Sequence, residues 1–279
     1  MRREDFQFLA ELLKRRCGLS LTPARSELIL TRLKPVADHH GFASVCDVVN
    51  ELRHGNEPLA QAVMEAMTIR DTSFFRDPAA FDALSQVILP RLLRSRSSRR
   101  CLSIWSAACA TGQEAYSIAM VFAGLPHFAE WDIDILATDV SPDAIARAKE
   151  GFYTQAEVQR GLPPQLLSDC FRPEGRGWRL RSSIRNCVQF RVLNLLDPFE
   201  APGRFDVIFC RNVLMYFDSA TKVNILDRLP QVLADDGCLV LGAAETMLGL
   251  SSSFASESRL RGIMTKAGHA HLSGAGAIG

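Results

Sequence analysis

At 279 residues the chain is long enough for one large domain or two modest ones, and its 47% hydrophobic and 23% charged composition is that of a globular protein. A formal net charge of +1 supplies no overall field favouring nucleic acid. No apolar run approaches the roughly 20 residues that span a bilayer, and the polar start Arg2-Arg3-Glu4-Asp5 has no signal-peptide core. A cytoplasmic protein without membrane insertion is expected.

The eight cysteines form no C-x-x-C pair and are expected to be reduced, several of them as small core residues. The histidines show no metal-ligand spacing.

The first quarter is predicted to be all-helical. Residues 4–17 carry Phe6, Leu9, Leu12 and Leu13 on one face, with Lys14, Arg15 and Arg16 at the negative end of the helix dipole and Gly18 as the stop. Thr22-Pro23 is expected to cap a second helix, which Pro35 should kink or shorten. Arg25, Arg32 and Lys34 lie off its apolar side, as a solvated face or as a docking surface for an acidic helical partner. Ser44 opens a third helix and Pro58 a fourth. Thr68 to Asp77 breaks the helical rhythm, with Phe74 and Phe75 adjacent, and Asp77-Pro78 opens a helix striped by Phe81, Leu84, Ile88, Leu92 and Leu93.

Cys101 to Trp105 is a buried-strand run. It feeds the small-residue turn Ala107 to Gly112 and then a helix, the first half of a nucleotide-binding βαβ unit. Asp132 to Thr138 is a second strand ending at Asp139, where an acid grips a ribose in such folds. Residues 152–186 interrupt the alternation, and Trp178–Leu180 and Cys187–Val192 alternate like strands, so a small β appendage is expected. Val188 to Leu193, then Phe205 to Cys210, resume the sheet. Asp218 caps the next helix, and strands follow at Cys238–Leu241 and near 262–265. The order predicts a doubly wound, Rossmann-like α/β domain behind a small helical one, with ligands at the carboxyl ends of the central strands.

The turn narrows the ligand. It keeps one glycine and places Glu114 where a pyrophosphate would be repelled, so it suits a ligand with an amine or sulfonium, which favours S-adenosylmethionine over NAD. Asp71-Thr72-Ser73-Phe74-Phe75-Arg76-Asp77, Trp105 to Gly112, Ala137-Thr138-Asp139, Leu193 to Asp197 and Cys210 to Phe217 together resemble the chemotaxis receptor methyltransferase family (CheR), over almost the whole chain. The resemblance implies a class I methyltransferase that uses S-adenosylmethionine to form glutamyl methyl esters on the cytoplasmic helices of transmembrane chemoreceptors. It implies a helical domain at 1–76, a methyltransferase domain at 77–267 with a β insertion at about 165–190, and a disordered tail at 268–279.

Carried over position by position, Thr72 and Arg76 approach the donor from the helical side. Glu114 takes its amino group, Asp139 its ribose, and Asn194 and Leu195 flank its adenine. Arg211 and Asn212 border the methyl. Arg76, Tyr216 and Arg211 are the catalytic candidates, and Arg25 and Arg32 would face the receptor. No metal is implied. Arg70 stands where the family has Asn, and Gly112-Gln113-Glu114-Ala115 where it has G-E-E-P. Arg70 is expected near the donor, weakening its binding or helping to hold the acceptor carboxylate. The short Arg172–Leu180 turn resembles members that work without a receptor tether peptide, and a monomer suffices. The rival readings are a methyltransferase of small molecules or bases, an NAD oxidoreductase, and a non-catalytic donor-binding module docking on receptors.

Overall fold

A computed structural model describes residues 1–199, 203–245, 251–257 and 260–268; the tail expected to be disordered lies outside these from residue 269 onward. The chain forms two compact units, Met1–Ile69 with Met215–Lys222, and Arg70–Leu214 with Val223–Gly279. No helix among the described residues is long and apolar enough to cross a membrane.

The first unit is helical. In α1 (Arg3–Cys17) the stripe Leu9, Leu12 and Leu13 is buried, and Gly18 (φ 75°) ends the helix by donating its N–H to the Lys14 carbonyl. The expected start of the second helix shifts. Thr22 makes no side-chain cap, Pro23–Arg25 forms one tight turn, and α2 spans Ser26–His39. Nor does Pro35 shorten it: the helix continues through the proline, with Ile29, Leu33 and Ala37 buried. Burying such side chains is worth roughly 1.5–3 kcal/mol each, enough to offset a proline cost of about 3 kcal/mol. Helix α3 (Val45–Arg53) is capped by Ser44 and α4 (Glu57–Met67) by Asn56, one position ahead of the expected opening. The Arg32 guanidinium donates to the carbonyls of Met67 and Thr68 at 3.0 and 3.2 Å. It thereby serves the last turn of α4, where a cation suits the helix dipole.

Residues 215–222 complete this unit. The Ser20 N–H donates to the Tyr216 carbonyl at 2.8 Å, and Leu19 and Phe217 form an antiparallel bridge. The Asp218 carboxylate pairs with Lys14 and accepts the Thr221 N–H, two contacts that hold it well below the usual carboxylate range.

The second unit begins with the strap 70–77 and one continuous helical run, α5 (Pro78–Ala83), a wider turn at Leu84–Ile88 and α6 (Leu89–Ser95). Then come β1 (Cys101–Ala107), α7 (Gln113–Ala123), β2 (Asp132–Asp139) and α8 (Pro142–Glu150). Next are β3 (Phe152–Thr154), α9 (Gln155–Gln159), α10 (Pro164–Cys170), β4 (Phe171–Glu174), β5 (Gly177–Leu180), α11 (Ser182–Arg185) and β6 (Val188–Val192). The series closes with β7 (Phe205–Cys210), α12 (Ser219–Val232), β8 (Leu233–Leu241), β9 (Phe254–Ser256) and β10 (Ile263–Lys266). The main sheet runs β6-β2-β1-β7-β8-β10-β9, parallel from β6 to β8 and antiparallel beyond. This is the expected doubly wound α/β architecture. The chain reverses its direction of winding between β2-β1 and β1-β7, and the crevice at the carboxyl end of β1 is the ligand position such sheets provide.

The appendage differs in membership from its sequence expectation. Its sheet is β3-β5-β4, so one strand lies at 152–154, ahead of 165–190, while Val188–Val192 belongs to the main sheet, where the resumed alternation placed it. Three residues were too short a run to show an alternation. The appendage is fastened by aromatics: Phe74 of the strap meets Tyr153 and Phe171 edge-on with ring centres 5.0 and 5.6 Å apart.

Candidate active site

Five of the six described non-glycine residues with positive φ gather at the carboxyl end of β1 and β7 or in the strap: Phe75, Asp77, Ala108, Ala110 and Asn212. Such conformations cost about 1–3 kcal/mol each and persist where surrounding contacts over-determine them, typically at functional sites.

The turn after β1 is held from three sides. The Cys109 N–H donates to the Thr138 carbonyl at 2.9 Å, the Ala110 N–H to Asp139 Oδ2 at 2.9 Å, and the Tyr153 hydroxyl to the Thr111 carbonyl at 2.8 Å. Tyr153, from the appendage, went unrecognised in the sequence because its strand did. Gly112 (φ 93°) has no space for a side chain: a Cβ would lie 2.9 Å from Ala148 Cβ and 3.2 Å from Tyr153 Oη. Gly112→Ala is therefore expected to lower stability by at least about 1–2 kcal/mol and to weaken donor binding. Urea unfolding together with titration of S-adenosylhomocysteine checks both, and an alanine variant with native values would contradict the reading.

Glu114, in the first turn of α7, is largely enclosed, its side chain 12% exposed. Oε1 accepts the Ser106 hydroxyl at 2.8 Å and Oε2 accepts Arg211 Nη1 at 2.9 Å. Burial pushes its carboxyl above the usual range, and Arg211 and Ser106 oppose the shift. Arg211 follows β7, and its side chain is 1% exposed. It also donates to the Asp77 carboxylate at 2.8 Å and to the Arg76 carbonyl at 2.7 Å, and lies over the Phe81 ring at 5.6 Å. Asp77-Pro78 opens the following helix as expected, but the Asp77 side chain makes no cap and turns instead to Arg211. The competing cation, distant in sequence, wins over the local helix end.

Asp139 ends β2, with Oδ1 accepting the Ser141 N–H at 3.0 Å and Oδ2 the Ala110 N–H. Asn194 Oδ1 accepts the Leu196 N–H at 3.1 Å, and Leu195 is buried. In the strap, Arg76 Nη1 donates to the Asp71 carbonyl at 2.8 Å, Thr72 is half-buried, and Arg70 lies 3.9 Å from Asp143. These residues all belong to the second unit. Tyr216, Arg25 and Arg32 belong to the helical one.

Burial also raises the Cys109 and Cys210 thiols well above their ordinary value, so neither provides a thiolate nucleophile. What gathers at the strand ends is two carboxylates, Glu114 and Asp139, and a turn of small residues. Glu114 opposes a pyrophosphate. A ligand with an ammonium, a sulfonium and ribose hydroxyls fits this set of acceptors, since a carboxylate has about four lone-pair sites.

Comparison with known proteins agrees. The family described as CheR methyltransferase, SAM binding domain, matches residues 70–262, and that described as CheR methyltransferase, all-alpha domain, matches residues 4–68. The Chemotaxis protein methyltransferase 1 of Pseudomonas aeruginosa is 36% identical over 258 residues, covering 90% of this chain and 93% of that one. The Chemotaxis protein methyltransferase Cher2 of Pseudomonas putida is 35% identical over 256 residues, covering 90% and 93%. The Chemotaxis protein methyltransferase of Escherichia coli is 32% identical over 256 residues, covering 89% and 86%. With both domains matched and its carboxylates at the strand ends suited to the donor, the chain belongs to the CheR family of S-adenosylmethionine-dependent chemotaxis methyltransferases.

Proposed function

We propose that this protein forms methyl esters on glutamate side chains of the cytoplasmic helices of chemoreceptors. The observation that carries the reading is the Glu114–Arg211 pair, with Arg211 buried and Glu114 largely so, beside a turn of small residues; the relatives' names supply the chemotactic setting. When bound, S-adenosylmethionine supplies a methyl group on a sulfonium.

Glu114 receives the donor's ammonium and Asp139 its ribose hydroxyls, while Asn194 and Leu195 border the adenine. Thr72 and Arg76 close over the donor from the strap. Arg211 keeps Glu114 ionised and, with Asn212, walls the methyl. Arg70 lies near the donor and helps hold the acceptor carboxylate. A glutamate acceptor is ionised at neutral pH, with a reference pKa of about 4.3, so no general base is required. Arg76 and Tyr216 position its carboxylate, and alignment with exclusion of water supplies the rate. Arg25 and Arg32 belong to the receptor-facing helical domain, and Arg32 does so while serving α4. The protein acts in the cytoplasm as a monomer and without a tether peptide.

The test is transfer of labelled methyl from S-adenosylmethionine to receptor-bearing membranes. Label released as methanol by base, and lost in Arg76→Ala, is expected. Donor binding without transfer to any receptor would favour the non-catalytic module instead.

A further inference from the structure

The turn that leaves β7 presents three successive backbone N–H groups, those of Asn212, Val213 and Leu214, the last opening a single 3-10 turn at Leu214–Tyr216 whose first N–H groups have no partner within it. One side chain collects all three. Glu245, four residues beyond the end of β8, accepts Asn212 N–H on Oε2 at 2.8 Å, and Val213 and Leu214 N–H on Oε1 at 3.0 and 2.8 Å. Oε2 also accepts the Gly242 N–H at 2.9 Å, and Glu245 returns its own N–H to the Gly242 carbonyl at 2.9 Å. One carboxylate thus ties together the carboxyl ends of two adjacent strands.

The fit is tight. A Cβ on Gly242 would stand 2.8 Å from Glu245 Oε2 and 2.9 Å from Asn212 Nδ2, so this glycine admits the carboxylate and the asparagine together. Asn212 itself has φ 57°, a conformation that asparagine tolerates and that still needs support from its neighbours. The support is charge-assisted: hydrogen bonds to an ionised acceptor are roughly twice as strong as neutral ones, and converging N–H groups form a natural nest for an anion.

We propose that Glu245 is a positioning residue for methyl transfer, fixing the peptide that follows Arg211 so that Arg211 and Asn212 keep their places beside the transferring methyl. The proposal rests on the reading of Arg211 and Asn212 given above. Glu245 touches neither donor nor acceptor in this role; it acts through the backbone of the turn. A displacement of about 1 Å in a catalytic group is enough to cost on the order of 100-fold in rate. The donor's other partners, Asp139 and Asn194, stand on different elements and do not depend on this turn.

Glu245→Gln is the discriminating variant. It preserves size, yet turns an amide NH2 toward two of the four N–H donors. Expected are a melting temperature lowered by only a few degrees and affinity for S-adenosylhomocysteine within about threefold of the parent. Single-turnover transfer should fall about 30- to 100-fold, and amide exchange should accelerate at residues 212–214. Transfer within twofold of the parent overturns the proposal, as does a parallel loss of donor affinity, transfer and melting temperature, which marks a general scaffold role. Should the parent itself transfer no methyl to receptors, the receptor reading fails on that result alone. Exchange measured with S-adenosylhomocysteine bound then decides for Glu245: acceleration confined to 212–214 sustains it, and unchanged protection overturns it.

Discussion

Arg211→Met should make donor binding strongly dependent on pH, weakening it as pH falls. In the parent, burial drives the Glu114 carboxyl upward, and the Arg211 cation 2.9 Å away and the Ser106 hydroxyl pull it back. Deleting the cation removes the larger opposing influence, so Glu114 keeps its proton to higher pH. Only the ionised carboxylate accepts an ammonium on the proposed reading. The variant should therefore bind S-adenosylhomocysteine more weakly as pH falls and recover as pH rises. A charged hydrogen bond contributes about 1.5–3 kcal/mol, which sets the deficit at low pH at roughly 10- to 150-fold. Methyl transfer should fall further than affinity, because Arg211 also fastens Asp77 and the Arg76 carbonyl. Calorimetric titration across pH 6–8.5 reads the effect, and a deficit independent of pH would remove Glu114 from the explanation.

The same carboxyl has a stability consequence with a definite sign. Between the ordinary carboxylate value and the raised one, the folded state holds this proton and the unfolded state does not. The group's contribution to stability therefore declines as pH rises through that window and is level above it. Arg211→Met widens the window upward.

Asp206→Asn should be the most damaging single change to the fold. Asp206 is the second residue of β7, at the end of the sheet opposite the site, and its side chain has no exposure. Its carboxylate takes Arg96 and Arg99 at 2.9 Å each and the Ser103 N–H of β1 at 2.9 Å. Asp236 holds Arg96 from its other side. Asparagine removes the charge and turns N–H groups toward guanidinium donors. Breaking a buried pair of this kind costs about 3–5 kcal/mol, a large share of the 5–15 kcal/mol typical of a folded protein. A lowered urea midpoint with unchanged slope is expected, with normal donor affinity in the folded fraction. A loss below about 1 kcal/mol would mean that solvent replaces the pair at little cost.

Much of the fold was legible because its signals are local. Leu9, Leu12 and Leu13 show a helix face, Gly18 a stop, and the apolar runs before Ala107, Asp139 and Arg211 mark strands whose carboxyl ends meet in a parallel sheet. What was missed also shares a cause. Asp77 does open its helix, yet its carboxylate is taken by Arg211 from 134 residues away, and the strand at 152–154 is too short to show until β5 pairs with it. Glu245 carried a signal that was available: an acid just beyond a strand's carboxyl end, the same signal that drew attention to Asp139. It passed unread because its partners are backbone N–H groups, which no residue pattern displays.

The segment 215–222 has a consequence for how the protein is made. The helical unit leaves the ribosome first, yet Leu19 and Ser20 find their partners in Phe217 and Tyr216 only after the intervening chain has been synthesised. At about 5–20 residues per second, the amino-terminal helices wait roughly seven to thirty seconds with one edge unfinished. Expressing residues 1–69 alone makes that interval permanent, whereas a version carrying 215–222 on a short linker would restore the missing edge.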